Sequence, residues 1–586
     1  MFTTVITQSI EMKKSLYLLI LLLTTCQSKK ESFNFDFTTR FEKSNGMETA
    51  TYEEVIEFYE ELALKYSTVT VDSIGLTDSG KPLNYVSLNP EKINDKTVTL
   101  LINNGIHPGE SDGIDATMLL FRDIASGKIE APIHTKLITI PIYNVGGSLN
   151  RNSTTRTNQN GPEAYGFRGN ARNFDLNRDF IKCDTENAKS FTQLFHKLNP
   201  DLFIDNHVSN GADYQYTLTH LFTQHNKLGS VQGEYLNQIL MPQLEQKLIK
   251  KDWDITPYVN VFNQVPETGF TQFMDYPRYS TGYTTLFNTL GMMVETHMLK
   301  PYKQRVLGTY ELMKSMIDIS EEDYLEIAQL KIRQANHFKT AKNYTLEWSV
   351  DTSKTTTLQF KGFEGEFITS EITGQKRLKF DTKKPFTKPT NYNNYFIPEL
   401  EISVPKAYVI PKGWHNIIEL LKLNNVELKL LKRDTTIKVE VYKIENFETR
   451  KSPYEGHYQH YNTKISSKIT NITFSKGDYM IETNQPGVRY LLETLEPQAP
   501  DSFFNWNFFD TILQQKEGFS PYVWEDKALE LLKNNPQLKT EFDNKKSEDS
   551  EFANNWYAQL DWLHKNSPNY ESAHLTYPVY RIKKQE

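Results

Sequence analysis

The chain has 586 residues, more than one hydrophobic core usually serves, so two or three domains are expected. Hydrophobic residues at 38% and aromatics at 12% supply ordinary globular cores, and 24% charged residues, well mixed, exclude a globally disordered chain. A formal net charge of -7 is not the footprint of a nucleic-acid binder, so no nucleic-acid partner is expected. Cys26 and Cys183 are the two cysteines, which excludes a four-cysteine metal site and leaves His and carboxylate as donors.

The first element in chain order is MKKSLYLLILLLTTCQSKKESF from Met12. Lys13 and Lys14 precede an apolar run from Leu16 to Leu23 that is too short to span a bilayer comfortably, the layout of an export signal. Leu23-Thr24-Thr25-Cys26 resembles a bacterial lipobox, although Thr25 stands where Gly, Ala or Ser is usual. Residues 1–26 are therefore expected to be a lipoprotein-type signal peptide with Cys26 lipidated, and 27–47 a tether. The expected location is the periplasm or outer membrane of a bacterium, otherwise outside the cell, with the membrane as partner through the lipid. Met12 is as good a start as Met1.

TYEEVIEFYEELALKY (51–66) carries apolar residues at helical spacing, and VTVDSIGLTDSGKPLNYVSL reads as two strands around a turn at Asp78-Ser79-Gly80. VTLLINN (98–104), LITIPIYN (137–144), DLFIDNH (201–207) and GMMVET (291–296) are short apolar runs, as expected of strands buried on both faces. IDATMLLFRDIAS, ENAKSFTQLFHKL (186–198) and a stretch through Tyr310 and Met316 read as helices between or after them. This alternation predicts an α/β/α sandwich with a mixed sheet over 48–325. Residues 345–445 change texture, with alternating runs such as TTTLQF and TTIKVEVYKI around a helix-like IIELLKL (417–423), and read as a β-rich module. Residues 446–586 read as a mixed region, with an aromatic run SFFNWNFFDTIL and a helical tail over 525–560.

Four segments carry chemistry. His107-Pro-Gly-Glu110 sets an imidazole and a carboxylate three residues apart at a strand-to-helix turn, which suits a metal but is common by chance. RGNARNFDLNRDF (168–180) holds three arginines and three asparagines, unusual for a connecting loop; its plainer reading is a surface loop with Asn turns. His207 ends a buried strand, where a lone His is more often a satisfied core residue than a ligand. Glu295 closes another apolar strand, and an unpaired buried carboxylate asks for a partner or a task.

Taken in order, these segments resemble the zinc carboxypeptidase family typified by carboxypeptidase A, over roughly residues 48–320. The resemblance implies one Zn2+ per chain held by His107, Glu110 and His207, Glu295 as general base, Arg168 steadying the oxyanion, and Asn177 with Arg178 gripping the terminal carboxylate of a peptide or protein substrate. The family's substrate-closing tyrosine is left open between Tyr279 and Tyr283, with Arg278 a further carboxylate contact. The segment 145–167 is expected to rim the cleft.

Rival readings start from Gly109-Glu-Ser111-Asp-Gly113, a G-x-S-x-G pattern that would make Ser111 a nucleophile, though Asn104 to Pro108 separate it from the preceding strand. An amidase acting on cell-wall peptides could use the same zinc site, and a catalytically silent peptide-binding protein could use the same scaffold. His457 and His460 read as a packing cluster, Cys183 as incidental, and the aromatics at 503–509 as core.

Overall fold

The computed structural model describes residues 35–89 and 97–584. The expected signal segment and its Cys26 therefore lie outside the described residues. Two compact units are distinguished, Met1–Thr38 and Thr39–Glu586. Of the first, 35–38 is described, where the Phe35 and Phe37 rings meet edge to face at 4.9 Å.

The second unit is built on an eight-stranded sheet. Its strands come from β1 (Val69–Leu76), β2 (Pro82–Leu88), β3 (Val98–Asn103), β4 (Thr135–Ile140), β5 (Leu202–Ser209), β6 (Leu218–Phe222), β7 (Ile255–Pro257) and β9 (Leu290–His297), in the order β1-β2-β4-β3-β5-β9-β6-β7. The two-residue β8 (Phe270–Thr271) lies in a different sheet. The four central strands β4, β3, β5 and β9 run parallel, and these are the four apolar runs the sequence offered as doubly buried. β1, β2 and β6 run antiparallel to their inner neighbours, so the sheet is mixed. β6 and β7 are too short and too polar at Thr219 and Thr256 to be read as strands from sequence.

Alternation along the strands assigns each face its helix. Phe203 meets Phe191 of the helix Glu186–Leu198 at 6.1 Å on one face. On the other, Asn206 donates to Asn104 at 2.7 Å and lies 3.6 Å from the Met313 sulfur, between the helices Asp112–Ala125 and Tyr302–Glu322. Gly113 is needed there: a Cβ would stand 2.3 Å from that of Asn206. Outside this layer, Thr51 starts the helix Tyr52–Lys65 with a capping box, its side chain accepting from Glu54 N–H and Glu54 accepting from Thr51 N–H.

Beyond the helix Tyr324–Thr340 the chain is rich in strand. β10 (Asn343–Val350) pairs with β13 (Phe396–Ser403), and β11 (Thr356–Thr369) with β12 (Lys376–Asn393) forms a long hairpin whose end pairs with β8. A six-stranded sheet follows in the order β15-β18-β14-β19-β16-β17, from β14 (Ala407–Ile410), β15 (Lys429–Leu430), β16 (Thr435–Thr449), β17 (His460–Phe474), β18 (Tyr479–Glu482) and β19 (Tyr580–Ile582). The expected helix lies at His415–Leu423, and the tail forms helices from Pro521 to Lys565 with a small core of their own. Phe503, Phe504, Trp506 and Phe509 are fully buried, in the same apolar cluster as Leu101, Phe191 and Tyr283 of the sheet layer. Among the described residues no helix is long and apolar enough to cross a membrane.

Candidate metal centre and substrate cleft

The carboxyl ends of β3, β5 and β9 meet at one edge of the sheet, where sites form in open α/β sheets. Beyond β3 the chain turns at Gly105, whose φ of +66° favours glycine, and enters the His107-Pro-Gly-Glu110 turn. Glu110 N–H donates to the His107 carbonyl at 2.8 Å, which closes the turn and brings His107 Nδ1 to 3.2 Å from Glu110 Oε1. His207 lies on β5 with Nδ1 3.0 Å from Glu110 Oε2. One donor atom from each of the three residues lies within 4.8 Å of the others, and all three residues are buried.

The outer faces of both rings are fixed. His107 Nε2 is 2.9 Å from Asp175 Oδ1, and His207 Nε2 is 2.9 Å from Asp205 Oδ2. A carboxylate on Nε2 holds the proton there and leaves the Nδ1 lone pair pointing inward, the arrangement that orients metal-bound histidines. His107 Nδ1 is buried with only the Glu110 carboxylate, itself an acceptor, beside it, and a cation would satisfy both. Two imidazoles, one carboxylate and an open side toward a cleft fit a catalytic zinc ion.

The charges follow this geometry. Burial alone would raise the Glu110 pKa, but His107 and Arg156 outweigh it and hold the carboxyl well below its usual range; Arg156 donates to it at 2.9 Å. Asp175 is likewise held low, with His107, Arg168 and Arg178 overcoming burial. Glu295 goes the other way. It pairs across the parallel ladder with His207, and burial, with Glu110 and Asp205 adding to it, pushes its pKa up to about 7.

The three metal-ligand candidates and Glu295 open onto one cleft of about 470 Å³. His107, Glu110, His207, Glu295, Arg168, Asn177 and Arg178, the seven positions that the resemblance assigns to a peptidase site, face it together. Arg168 reaches Asp175 through Nε at 3.0 Å and stands 3.6 Å from Glu110. Arg178 lies over the Tyr279 ring at 4.5 Å and donates to the Asn177 carbonyl at 2.7 Å. The plainer reading of this loop holds for its first half. Asn170 Oδ1 accepts from the N–H groups of Arg172 and Phe174, a structural turn that presents Asn177 and Arg178.

The structure separates the open alternatives. Tyr279 lines the cleft, whereas Tyr283 is fully buried with its hydroxyl on Asn424. Arg278 pairs with Asp501 at 2.9 Å and does not line the cleft. Ser111 is buried, its hydroxyl donating to the Pro108 carbonyl at 3.1 Å, and among the described residues no side-chain base is bonded to it. Cys183 is buried with its thiol pKa pushed up by that burial. His457 and His460 go to different acids, Asp184 and Asp510. The sequence reading missed Asp175, Asp205 and Arg156. Asp205 was findable, two residues before His207 and so on the same face of its strand. Arg156 carries no local signal, since it arrives from the 145–167 loop.

No family model matches the chain. It is 23% identical over 499 residues to "Carboxypeptidase 2" of Trichophyton rubrum, covering 78% of this chain and 84% of that protein. The same identity over 500 residues, with the same coverage, relates it to "Carboxypeptidase 2" of Trichophyton tonsurans. Among solved structures it is similar to a metallo-carboxypeptidase from Burkholderia cenocepacia, at 16% identity and TM-score 0.37 over 46% of this chain and 70% of that one. A carboxypeptidase A from Helicoverpa armigera matches at 16% identity and TM-score 0.37, over 53% of this chain and 81% of that one.

Proposed function

We infer that this chain is a zinc metallocarboxypeptidase, a distant member of the zinc carboxypeptidase family, which releases the last residue of a peptide. The observation that carries this reading is the pair of inward Nδ1 atoms and the Glu110 carboxylate, each ring braced from behind by an aspartate, with Glu295 beside His207 at the mouth of one cleft. Zinc held by His107, Glu110 and His207 would polarise the scissile carbonyl and acidify water.

The residues around it divide the remaining work. Glu295 takes a proton from the attacking water and returns it to the leaving amine; a pKa near neutrality suits both transfers. Arg168, anchored on Asp175 with its guanidinium toward the cleft, donates to the oxyanion. Arg178 and Asn177 hold the terminal carboxylate. Burial opposes the Arg178 charge, but Asp175 and the Tyr279 side overcome it, so the guanidinium stays a cation able to make a paired contact. Tyr279 supports that guanidinium from below and forms part of the substrate wall. Leu221, Phe273 and Met293 give the cleft an apolar stretch, which favours uncharged side chains at the released residue.

A peptide with a free C-terminus, compared with its C-terminal amide, tests this reading. The free acid is cleaved and the amide resists; Arg178→Ala raises KM for the acid by roughly tenfold or more, about the worth of a charge-assisted contact. Equal cleavage of acid and amide would point instead to an amidase. We further propose that the chain is exported and held at a membrane by lipid on Cys26, a reading supported by the Lys13-Lys14, Leu16–Leu23 and Cys26 layout alone. Fatty-acid labelling of the wild type, lost in Cys26→Ser, is the expected outcome.

A further inference from the structure

The turn between β16 and β17 reaches across to the substrate loop from a region far along the chain. Tyr454 and His457 close it by exchanging backbone hydrogen bonds, at 2.7 and 3.1 Å. Its two central residues, Glu455 and Gly456, have φ of +49° and +81°, the left-handed pair that a type I′ turn requires. Glycine or asparagine is the ordinary occupant of such positions, so a glutamate at the first is a conformational cost that asks for a reason.

The contacts supply one. The Glu455 carboxylate accepts the Asp175 N–H at 2.8 Å, and Asp175 is the residue that braces His107 and caps the Asn177–Arg178 turn. Gly456 lies against the Phe174 ring, where a Cβ would come within 3.1 Å. The Tyr454 side chain lies beside Arg178 and helps to hold its guanidinium charged. His457 Nε2 reaches Asp184 at 2.7 Å, past the far end of the same loop. Tyr454 is in turn backed by Trp506, stacked at 5.9 Å. One short turn thus touches the substrate loop before, at and after the two residues assigned to the carboxylate.

We propose that Tyr454 and Glu455 are positioning residues of the peptidase site: the β16–β17 turn sets Asn177 and Arg178 for the substrate carboxylate, which makes the C-terminal region a working part of the cleft. This rests on the carboxypeptidase reading above. An N–H left without its acceptor and a guanidinium left without the neighbouring Tyr454 hydroxyl loosen the grip on the carboxylate, while Glu295 and the metal ligands keep their own contacts.

The test uses the full chain with Glu455→Ala, Glu455→Gln and Tyr454→Phe, and reads kcat, KM, zinc content and melting temperature on a free-acid peptide. Glu455→Ala and Tyr454→Phe are expected to raise KM about tenfold with kcat within about threefold and zinc unchanged. Glu455→Gln, whose amide oxygen can accept the same N–H, returns KM toward the wild type. Tyr454→Phe removes one hydroxyl and keeps the Trp506 stacking, so it answers even where Glu455→Ala does not fold. Wild-type KM in Tyr454→Phe and Glu455→Ala overturns the inference and leaves the peptidase reading standing. So does a parallel loss of kcat, zinc and melting temperature that Glu455→Gln does not rescue. A zinc-loaded wild type that releases nothing from any free-acid peptide removes the peptidase reading, and this inference with it.

Discussion

Glu295 is the proposed proton carrier, and its burial beside Glu110 and Asp205 makes its charge costly. Its pKa in the metal-free fold, pushed up to about 7 by burial, lies above the ordinary glutamate value, so the folded state binds its proton more tightly than the unfolded chain does. Stability from this group is therefore present at low pH and is lost as pH rises from the unfolded value through about 7. The neutral isostere escapes that loss. Glu295→Gln is expected to stabilise the metal-free protein at pH 8 by up to about 3 kcal/mol and to change little at pH 4, as read by denaturant unfolding. The opposite trend would show that the carboxylate is better solvated than its position beside His207 implies. The same substitution should cost about 10² to 10⁴ in kcat, because the proton transfers lose their carrier. In the wild type, kcat/KM should fall on the acid side at or below about pH 7, since a bound cation favours the carboxylate form. At this scale the sequence was most readable. His207 and Glu295 stand near the ends of plain apolar runs, and His107 and Glu110 follow another such run across a short turn, while Arg156 reaches Glu110 from a loop whose path depends on the whole layer.

At the scale of elements, the site is three strand ends and one loop held in register. His207 and Glu295 share a rung of the β5–β9 ladder, so slipping either strand by one residue would send one of them to the other face. Asp205, on the same strand as His207, and Asp175, in the loop, fix the two rings. Asp205→Asn and Asp175→Asn are expected to weaken zinc binding by about 10- to 100-fold in a chelator competition, with the fold retained. Unchanged affinity in both would mean that the rings are oriented by packing alone. The apolar runs identified β3, β4, β5 and β9, because parallel central strands are buried on both faces. β6 and β7 escaped notice since they are short, and Thr219 and Thr256 interrupt their apolar pattern. The loop 168–180 announced itself by composition, but which of its asparagines turn the backbone and which face the cleft is a matter of hydrogen bonds: Asn170 does the first and Asn177 the second.

At the scale of the molecule, texture in the sequence suggested a change near residue 345, and strand content does rise there. Texture says nothing about how regions pack, however. Trp506, fully buried, lies over Arg278 and Lys182, and Phe287 stacks on Tyr490, so apolar contacts run unbroken from the sheet layer into the C-terminal region. A shared core unfolds together. Trp506→Ala should therefore destabilise the catalytic layer along with its own region, by about 3 to 5 kcal/mol, and calorimetry should show the main transition moving as a whole. Two separate transitions, only the later region shifted, would mean that the halves are energetically independent.

The most direct test of the account is elemental zinc on the purified chain prepared without chelators, measured with release of C-terminal residues from a mixed set of peptides. Wild type and Glu295→Gln should both hold about one zinc per chain, and only the wild type should release residues. A chain without zinc, or a Glu295→Gln variant that cleaves as well as the wild type, would contradict it.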